Sequence, residues 1–459
     1  MDTSILSEIK KIHFVGIGGS GMCPMAEILS QKGYTITGSD ISESDTVERV
    51  RSHGIKVFIG HSSENIGDAE AIVYTAASKS DNPELVAAEE KGIPIFERAK
   101  VLGFINEMYE TPIDVSGTHG KTSTTGMITQ ILIEDGKDPS AIIGGMLPII
   151  NGNSTVGKSD ILVCEACEYV DTFLQIHPKI AVITNIEADH LDYFKTLDNI
   201  IKSFHQFEEQ TSGTVIINGD DLNSVKSIEG IKNTEIITFG LSDKFDYYPT
   251  ELNEKDTACE SFTLMCRREK LGRVNLTVPG EHNMLNALAA AAAAHTVGAT
   301  PETICSALGH FSGVHRRFEI LGTFDGVTVA DDFAHHPTEL TAVLSSAMKM
   351  GYNEVWAIFQ PHTYSRTHTF LDDFAKALAI PNHLIMTEIL AVREVNKFNI
   401  HTSDLAEKIP GSCWFDSFDK IADYVMKNAK ENDLILTLGG GDIYKCANLL
   451  VEKYKELQK

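Results

Sequence analysis

Apolar residues in this chain gather in short runs that end in glycine or in a polar cluster, and stretches with helical spacing separate the runs. That alternation predicts parallel β-strands, buried on both faces and joined by helices. Ile12–Val15, Tyr34–Gly38, Lys56–Ile59, Ala71–Thr75 and Pro94–Phe96 make a first set, with a helix expected over Met22–Gln31. Ile113–Val115, Ile161–Glu165, Ile180–Asn185 and Val215–Asn218 make a second, with a helix over Ser123–Ile133. Residues 241–275 are less regular, with Phe262–Cys266 and Val274–Val278 as strand candidates. After Val278–Asn283 comes NALAAAAAAHTVGA, whose alanine run Ala289–Ala294 favours a close-packed helix. The last set is Val327–Ala330, Glu354–Phe359, His383–Thr387 and Leu434–Leu438, with a helix over Thr338–Met350.

At 459 residues the chain exceeds one core, and about three domains are expected. Formal net charge is -25, from 39 basic against 64 acidic residues. Such a balance argues against non-specific nucleic-acid binding, which depends on phosphate neutralisation by Lys and Arg. Anionic ligands must then be held by local clusters and backbone amides. No apolar run reaches the roughly 18 residues of a membrane span, and MDTSILSEIKK lacks the apolar core of a signal peptide. Eight scattered cysteines fit a reducing cytoplasm. Cys164 and Cys167 form a CxxC with no second pair to complete a zinc set, so packing at a strand end is expected of them.

Two glycine loops follow strand runs. Gly117-Thr118-His119-Gly120-Lys121-Thr122 sits between a strand and a helix, as a triphosphate-binding loop does. Glycines let N–H groups approach phosphate, the helix N-terminus adds positive potential, Lys121 neutralises β/γ charge and the Thr122 hydroxyl can ligate Mg²⁺. Val115 stands where the standard Walker pattern has its first glycine, so the loop is a shorter variant; an ordinary strand–helix turn with a surface lysine is the bland alternative. Gly16-Ile17-Gly18-Gly19-Ser20-Gly21 is a GxGxxG, with Asp40 placed where dinucleotide folds hold a ribose hydroxyl. It reports a diphosphate-sized anion and not which molecule carries it.

Further chemistry collects at strand ends, where open parallel sheets bind ligands. Glu165, Asp189 and His190 are expected on the same edge as Lys121 and are candidate Mg²⁺ ligands, although His is unusual for Mg²⁺. Asn283 at a helix start is either an N-cap or a reader of an adenine edge. Arg316 and Arg317 form a basic cluster, and Asp331–Pro337 and Gln360–Arg366 follow strands of the third set. Gly439–Gly441 is either an anion-binding turn or an ordinary βα turn. The fold class expected is α/β in three domains: an N-terminal Rossmann-like domain over 1–106, a central P-loop ATPase-like α/β domain over 107–312, and a C-terminal Rossmann-like α/β domain over 313–459.

GIGGSGM at 16–22, GTHGKTSTT at 117–125, TNIEADHLD at 184–192, GEHNMLNALAA at 280–290, RRFE at 316–319, DDFAHHPTE at 331–339 and QPHTYSRT at 360–367 together resemble the Mur ligase family, in order and over nearly the whole chain. The resemblance implies that ATP phosphorylates the lactyl carboxylate of UDP-N-acetylmuramate, that the amine of L-alanine attacks the acyl phosphate, and that a tetrahedral intermediate collapses to amide and phosphate. It assigns Gly16, Gly18, Gly19, Ser20, Gly21, Asp40 and Asn185 to the UDP-sugar. To ATP it assigns Gly117, Thr118, His119, Gly120, Lys121, Thr122 and Ser123, with Asn283 at adenine, Arg317 at the γ-phosphate and Asp332 at ribose. Thr122, Glu165 and His190 are implied as ligands of two Mg²⁺ ions. His335, His362 and Arg366 are implied near the amino acid, where an arginine can grip a carboxylate bidentately. Lys121, Glu165, His190, Arg317, His335 and Arg366 are the implied catalytic set. Departures from the family's pattern fall at Ala166-Cys167-Glu168, where many relatives carry further acids, at Thr363, where many have arginine, and at Phe333, where many have tyrosine. Rival readings are a Mur-type ligase for another amino acid or a peptide, a nicotinamide-dependent oxidoreductase using Gly16–Asp40, and an NTPase without ligase activity.

Overall fold

The computed structural model describes residues 3–75, 78–79, 81–232, 234–253, 259–392 and 394–457. The first sheet contains β1 (Lys11–Val15), β2 (Thr35–Asp40), β3 (Lys56–Ile59), β4 (Ala71–Tyr74) and β5 (Ile95–Glu97), in the order β3-β2-β1-β4-β5 and parallel throughout. Ile12, Phe14, Ala71 and Val73 face one core while Val15 and Ile72 face another. Both faces are therefore covered, which is why these strands read as unbroken apolar runs.

The second sheet contains β6 (Thr111–Ser116), β7 (Ser140–Leu147), β8 (Gly152–Thr155), β9 (Ile161–Glu165), β10 (Ile180–Ile183), β11 (Thr214–Asn218) and β12 (Glu235–Phe239), in the order β12-β11-β10-β6-β9-β7-β8. The stretch read as irregular holds β13 (Tyr247–Thr250), β14 (Cys259–Cys266) and β15 (Glu269–Pro279); residues 254–258 of it lie outside those described. β6 is central, with Val115 level with Glu165 of β9 on one side and Val182 of β10 on the other. This register aligns the carboxyl ends of three strands. β7 and β8 pair antiparallel with a register shift between Ile142 and Leu147. The helix Lys121–Glu134 begins two residues earlier than its apolar pattern suggested, directly at the loop lysine. In the helix Glu281–Thr296, Ala287 through Ala294 are buried, as the alanine run required.

These first two sheets fall in one compact unit, made of Met1–Tyr248, Met265–Leu271 and Leu285–Ala307. Within it a single cluster of buried side chains runs from Phe14 and Val73 to Ile183, Phe204 and Ile217. Asp114 is fully buried on β6, and its two oxygens accept from Asn106 Nδ2 at 3.0 and 2.9 Å. Burial pushes this carboxyl up to about 8, against the opposing hydrogen bond from Asn106. The unfolded carboxyl ionises near 3.8 and the folded one holds its proton to about 8, so its stabilising contribution is complete at low pH and is lost as pH rises through that window. Asp114→Asn is expected to show a smaller loss of unfolding free energy between about pH 5 and about pH 8 than the parent chain. Parallel denaturation curves for the two would remove Asp114 as the cause. Glu208, also pushed to about 8 by burial, keeps the dependence from vanishing altogether.

The other unit, Pro249–Leu264, Gly272–Met284 and Leu308–Lys459, carries the third sheet. Its strands are β16 (Glu319–Phe324), β17 (Val327–Asp332), β18 (Val355–Phe359), β19 (His383–Met386), β20 (Cys413–Trp414) and β21 (Leu434–Leu438), in the order β16-β17-β21-β18-β19-β20. Only β16 runs antiparallel to its neighbour. Val355, Ala357 and Phe359 pack with Leu434, Leu436 and Leu438 on one face, and Trp356, Ile358 and Ile435 pack on the other. The strict alternation of one strand between two cores is the period of two expected of a doubly covered sheet. The helix Pro337–Ala347 starts at His336, which caps it and is joined by Glu339 in a reciprocal capping box.

Candidate active site

Between β6 and the helix Lys121–Glu134 the chain makes a tight loop with two glycines at positive φ, Gly117 at 135° and Gly120 at 84°. A Cβ on Gly117 would lie 2.0 Å from Thr184 Oγ1, and one on Gly120 would lie 2.4 Å from Asn286 Oδ1. Glycine is required at both positions by conformation and by space. The residues after β10 lace the loop. Thr118 N donates to Asn185 O at 2.9 Å, His119 N donates to Asn185 Oδ1 at 2.9 Å, and Asn185 Nδ2 donates to His119 O at 3.0 Å. Thr184 Oγ1 donates to His119 O at 2.5 Å and Glu187 N donates to Thr118 Oγ1 at 2.8 Å. A helix N-terminus behind such a loop presents backbone N–H groups and a positive dipole end to an anion.

Lys121 Nζ folds back on its own loop, donating to Gly117 O and, at 3.1 Å, to Thr118 O, and it pairs with Glu168 at 2.9 Å. Burial, the largest single influence, lowers its pKa, but the charges of Glu168 and Cys167 and the hydrogen bond to Glu168 together outweigh it, so Lys121 titrates above its ordinary value and stays cationic. Glu165, on the neighbouring strand β9, adds in the same direction. Glu165 Oε2 also accepts from Gly144 N at 2.8 Å. His190 Nε2 lies 3.8 Å from Glu168 Oε1 and 3.7 Å from Asp189 Oδ2, and its ring meets Tyr169 at 4.6 Å between centroids. His190, Val170 and Asp171 all have positive φ, at 52°, 56° and 56°. Strained backbone of this kind clusters at functional sites. Cys164 is buried on β9 with its thiol held well above the ordinary value by burial, and burial pushes Cys167 to about 11. Neither is a ready thiolate ligand.

The first glycine loop closes on β2. Gly16 N and Ile17 N donate to Ser39 O at 2.8 and 2.9 Å, and Gly16 has φ 81°. Asp40 Oδ2 accepts from Gly18 N at 2.9 Å, so this acid orders the loop directly. A Cβ on Gly18 would meet Val47 and Asp40 at 2.8 and 2.9 Å, and one on Gly21 would meet Arg98 Nη1 at 2.9 Å. Arg98 thus brings a cation to the far end of the loop. Ser20 O accepts from Asn153 Nδ2 at 2.9 Å, next to a buried cluster in which Arg49 pairs with Glu27 at 2.9 Å and donates to Ser154 Oγ at 2.8 Å.

In the other unit, polar residues crowd the carboxyl ends of β17 and β18. Both Asp332 oxygens accept backbone N–H groups, from Phe318 and Ala334 at 2.7 Å each, and burial lifts its carboxyl to about 6 against the pull of Arg317. Arg316 donates to Asp331 at 2.8 Å and to the carbonyls of Gly439 and Gly441 at 2.8 and 3.0 Å. The Gly439–Gly441 turn thus presents two carbonyls to Arg316. His335 is buried to a pKa of about 3, with Arg366 and His362 adding to the effect and Glu339 opposing it. The neutral ring donates from Nδ1 to Phe333 O at 2.9 Å, which leaves the acceptor lone pair on Nε2. His362 lies edge-on at 5.5 Å between ring centroids, and its Nδ1 accepts from Arg366 Nη1 at 3.3 Å. His282, lowered to about 4 mainly by burial, stands within the field of Glu339 and Arg317.

The structure thus brings Lys121, Glu165 and His190 into one cluster, and His335, His362 and Arg366 into another. Asn185, assigned by the resemblance to the UDP-sugar, stands at the phosphate loop, where both ends of its amide serve His119. The N-cap alternative for Asn283 falls, because the helix starts at Glu281 and Asn283 Nδ2 donates back to Pro279 O at 2.7 Å. Glu168, the partner of Lys121, was noted only as a departure from the family pattern, and Asn286, Thr184, His282 and Glu339 were passed over. Asn286 follows Asn283 by one helical turn, a spacing that could have flagged it.

Family models match three successive segments: the Mur ligase family catalytic domain at 11–109, the Mur ligase middle domain at 115–294 and the Mur ligase glutamate ligase domain at 316–441. The chain is 42% identical over 457 residues to a UDP-N-acetylmuramate–L-alanine ligase of Caldanaerobacter subterraneus, covering 98% of this chain and 99% of that one. It is 43% identical over 453 residues to the enzyme of that name from Acetivibrio thermocellus, covering 97% and 96%. Among solved structures, a UDP-N-acetylmuramate–alanine ligase from Thermotoga maritima superposes with a TM-score of 0.82 at 30% identity, covering 98% of this chain and all of that one. A murein peptide ligase from Psychrobacter arcticus superposes at 0.74 with 25% identity, covering 96% and 98%.

Proposed function

The chain belongs to the Mur ligase family, and we propose that it joins L-alanine to the lactyl carboxylate of UDP-N-acetylmuramate with ATP as cosubstrate. The observation that carries the chemistry is the Gly117–Thr122 loop, with a half-buried cationic lysine held against Glu168 at the N-terminus of a helix. The choice of sugar nucleotide and amino acid is supported by relatives that share the chain's whole length.

In this reading Lys121 exchanges Glu168 for the terminal phosphates of ATP, and the loop amides bind their oxygens. The γ-phosphoryl group passes to the lactyl carboxylate, the L-alanine amine attacks the resulting acyl phosphate, and the tetrahedral intermediate expels phosphate. Arg366 grips the amino-acid carboxylate, and neutral His335 offers Nε2 as an acceptor to the amine. Asn283 and Asp332 serve adenine and ribose, Arg317 the γ-phosphate, and the Gly16–Gly21 loop the UDP diphosphate. The donors around Lys121 suit Mg²⁺: hard oxygens from Thr122, Glu165 and Glu168 predominate, with His190 as the one nitrogen. Bound there, Mg²⁺ would offset charge on the phosphates. Engagement of Asp40 by Gly18 N supports a loop ordered for a diphosphate, and the nicotinamide reading leaves the Lys121 loop without a purpose. No described helix is long and apolar enough to cross a membrane, and a cytoplasmic location is part of this reading.

Phosphate release from Mg·ATP, measured with UDP-N-acetylmuramate and a scan of single amino acids, tests the reading. Release that needs both the sugar nucleotide and L-alanine, with an amide product by mass spectrometry, is the expected result. Dependence on another amine or on a peptide would move the specificity, and indifference to both would sink the ligase. For the metal, Glu165→Gln is expected to raise the Mg²⁺ needed for half-maximal activity at least about tenfold; an unchanged titration would exclude Glu165 from the metal shell.

A further inference from the structure

Two β-branched residues hold positive φ close to the proposed amino-acid site: Thr363 at 67° and Val392 at 54°. For β-branched side chains such values are outliers, and they persist only where the surroundings over-determine them. Thr363 immediately precedes the helix Tyr364–Thr369, which carries Arg366, and follows His362. The surroundings that hold this turn are supplied by the segment after β19. Thr363 N donates to Leu390 O and Leu390 N donates to Pro361 O, both at 2.9 Å, so Leu390 pairs with His362 as an isolated parallel bridge. Glu394 then reaches the helix start. Its Oε2 accepts from Ser365 N at 2.8 Å and its Oε1 accepts from Ser365 Oγ. A carboxylate at a helix N-terminus satisfies donors and favours the dipole. Leu390 also packs against the glycine turn, where a Cβ on Gly441 would fall 2.2 Å from its Cδ2. One segment thus ties the exit of β18, the helix of Arg366 and the turn after β21.

We propose that Glu394 is a positioning residue for amino-acid binding, and that residues 388–392 with Glu394 form a brace that holds the strained turn at Thr363 and, through it, keeps His362 and Arg366 in place. The amino-acid role of Arg366 and the identity of the three substrates rest on the function proposed above. A small displacement of a carboxylate-gripping arginine costs binding of that one substrate. Glu394→Ala is therefore expected to raise KM for L-alanine about tenfold or more, with KM for ATP and for UDP-N-acetylmuramate within about twofold of the parent. Glu394→Gln, which keeps one acceptor oxygen, and Ser365→Ala, which removes one of the two bonds, should each show a smaller rise. Amide exchange read over 361–370 should quicken in Glu394→Ala while 117–134 is unchanged. An unaltered KM for L-alanine overturns the assignment, as does a parallel rise for all three substrates with faster exchange throughout. If the parent protein ignores L-alanine, the functional reading fails by that result alone, and the exchange comparison still decides for or against the brace.

Discussion

Replacing Lys121 with alanine is expected to cut turnover by about 10²–10³-fold or more, the scale on which a single preorganised charge acts on a developing anion. The lysine is held by Gly117 O, Thr118 O and Glu168, which keep the ammonium at the loop until a phosphate replaces the carboxylate. The substitution has a second consequence, because Glu168 is itself buried and would lose its partner. An unpaired buried charge destabilises the fold, so Lys121→Ala alone mixes a catalytic and a structural effect. Lys121→Ala combined with Glu168→Gln separates them: thermal stability should return toward that of the parent while turnover stays low. Near-normal kcat in either variant would remove this loop from the chemistry.

Gly117→Ala should weaken ATP binding without touching any charged group. At φ 135° an alanine is strained by about 1–3 kcal/mol. Its Cβ would also lie 2.0 Å from Thr184 Oγ1 and 3.1 Å from the backbone of Asn185. Thr184 and Asn185 are the residues that lace the loop, so relief of the clash must move the loop amides off their positions. A loss of ATP affinity of at least about tenfold is expected, read by calorimetry or by protection from unfolding. Adding Thr184→Ala relieves one contact but neither the backbone strain nor the approach of Asn185, so recovery should be partial. Full recovery in the double variant would show that side-chain crowding alone required the glycine.

Glycine loops, strand runs and their order were readable because each is a local property. β1, β6, β9 and β10 sit in sheets covered on both sides, which imposes continuous apolar runs that any sequence pattern displays. The edge pieces were harder. β7 and β8 form an antiparallel hairpin with exposed and glycine-rich positions, and β16 is partly exposed, so neither carries a clean period. β13, β14 and β15 mix buried and exposed positions, and residues 241–275 looked irregular for the same reason.

From sequence alone came the chemistry of each loop: glycines where backbone must turn left-handed, a lysine and hydroxyl behind them, acids at strand ends, and a family pattern spanning the chain. These are one-dimensional because they depend on residues adjacent along the backbone. Tertiary structure decided the partners. Only the β6–β9 register sets Glu165 level with Val115 and lets Glu168 reach Lys121. Only the path after β10 turns Asn185 onto His119, and only the segment after β19 carries Glu394 to Ser365. Such pairings depend on distances that strand order and chain return create, and no spacing along the sequence encodes them.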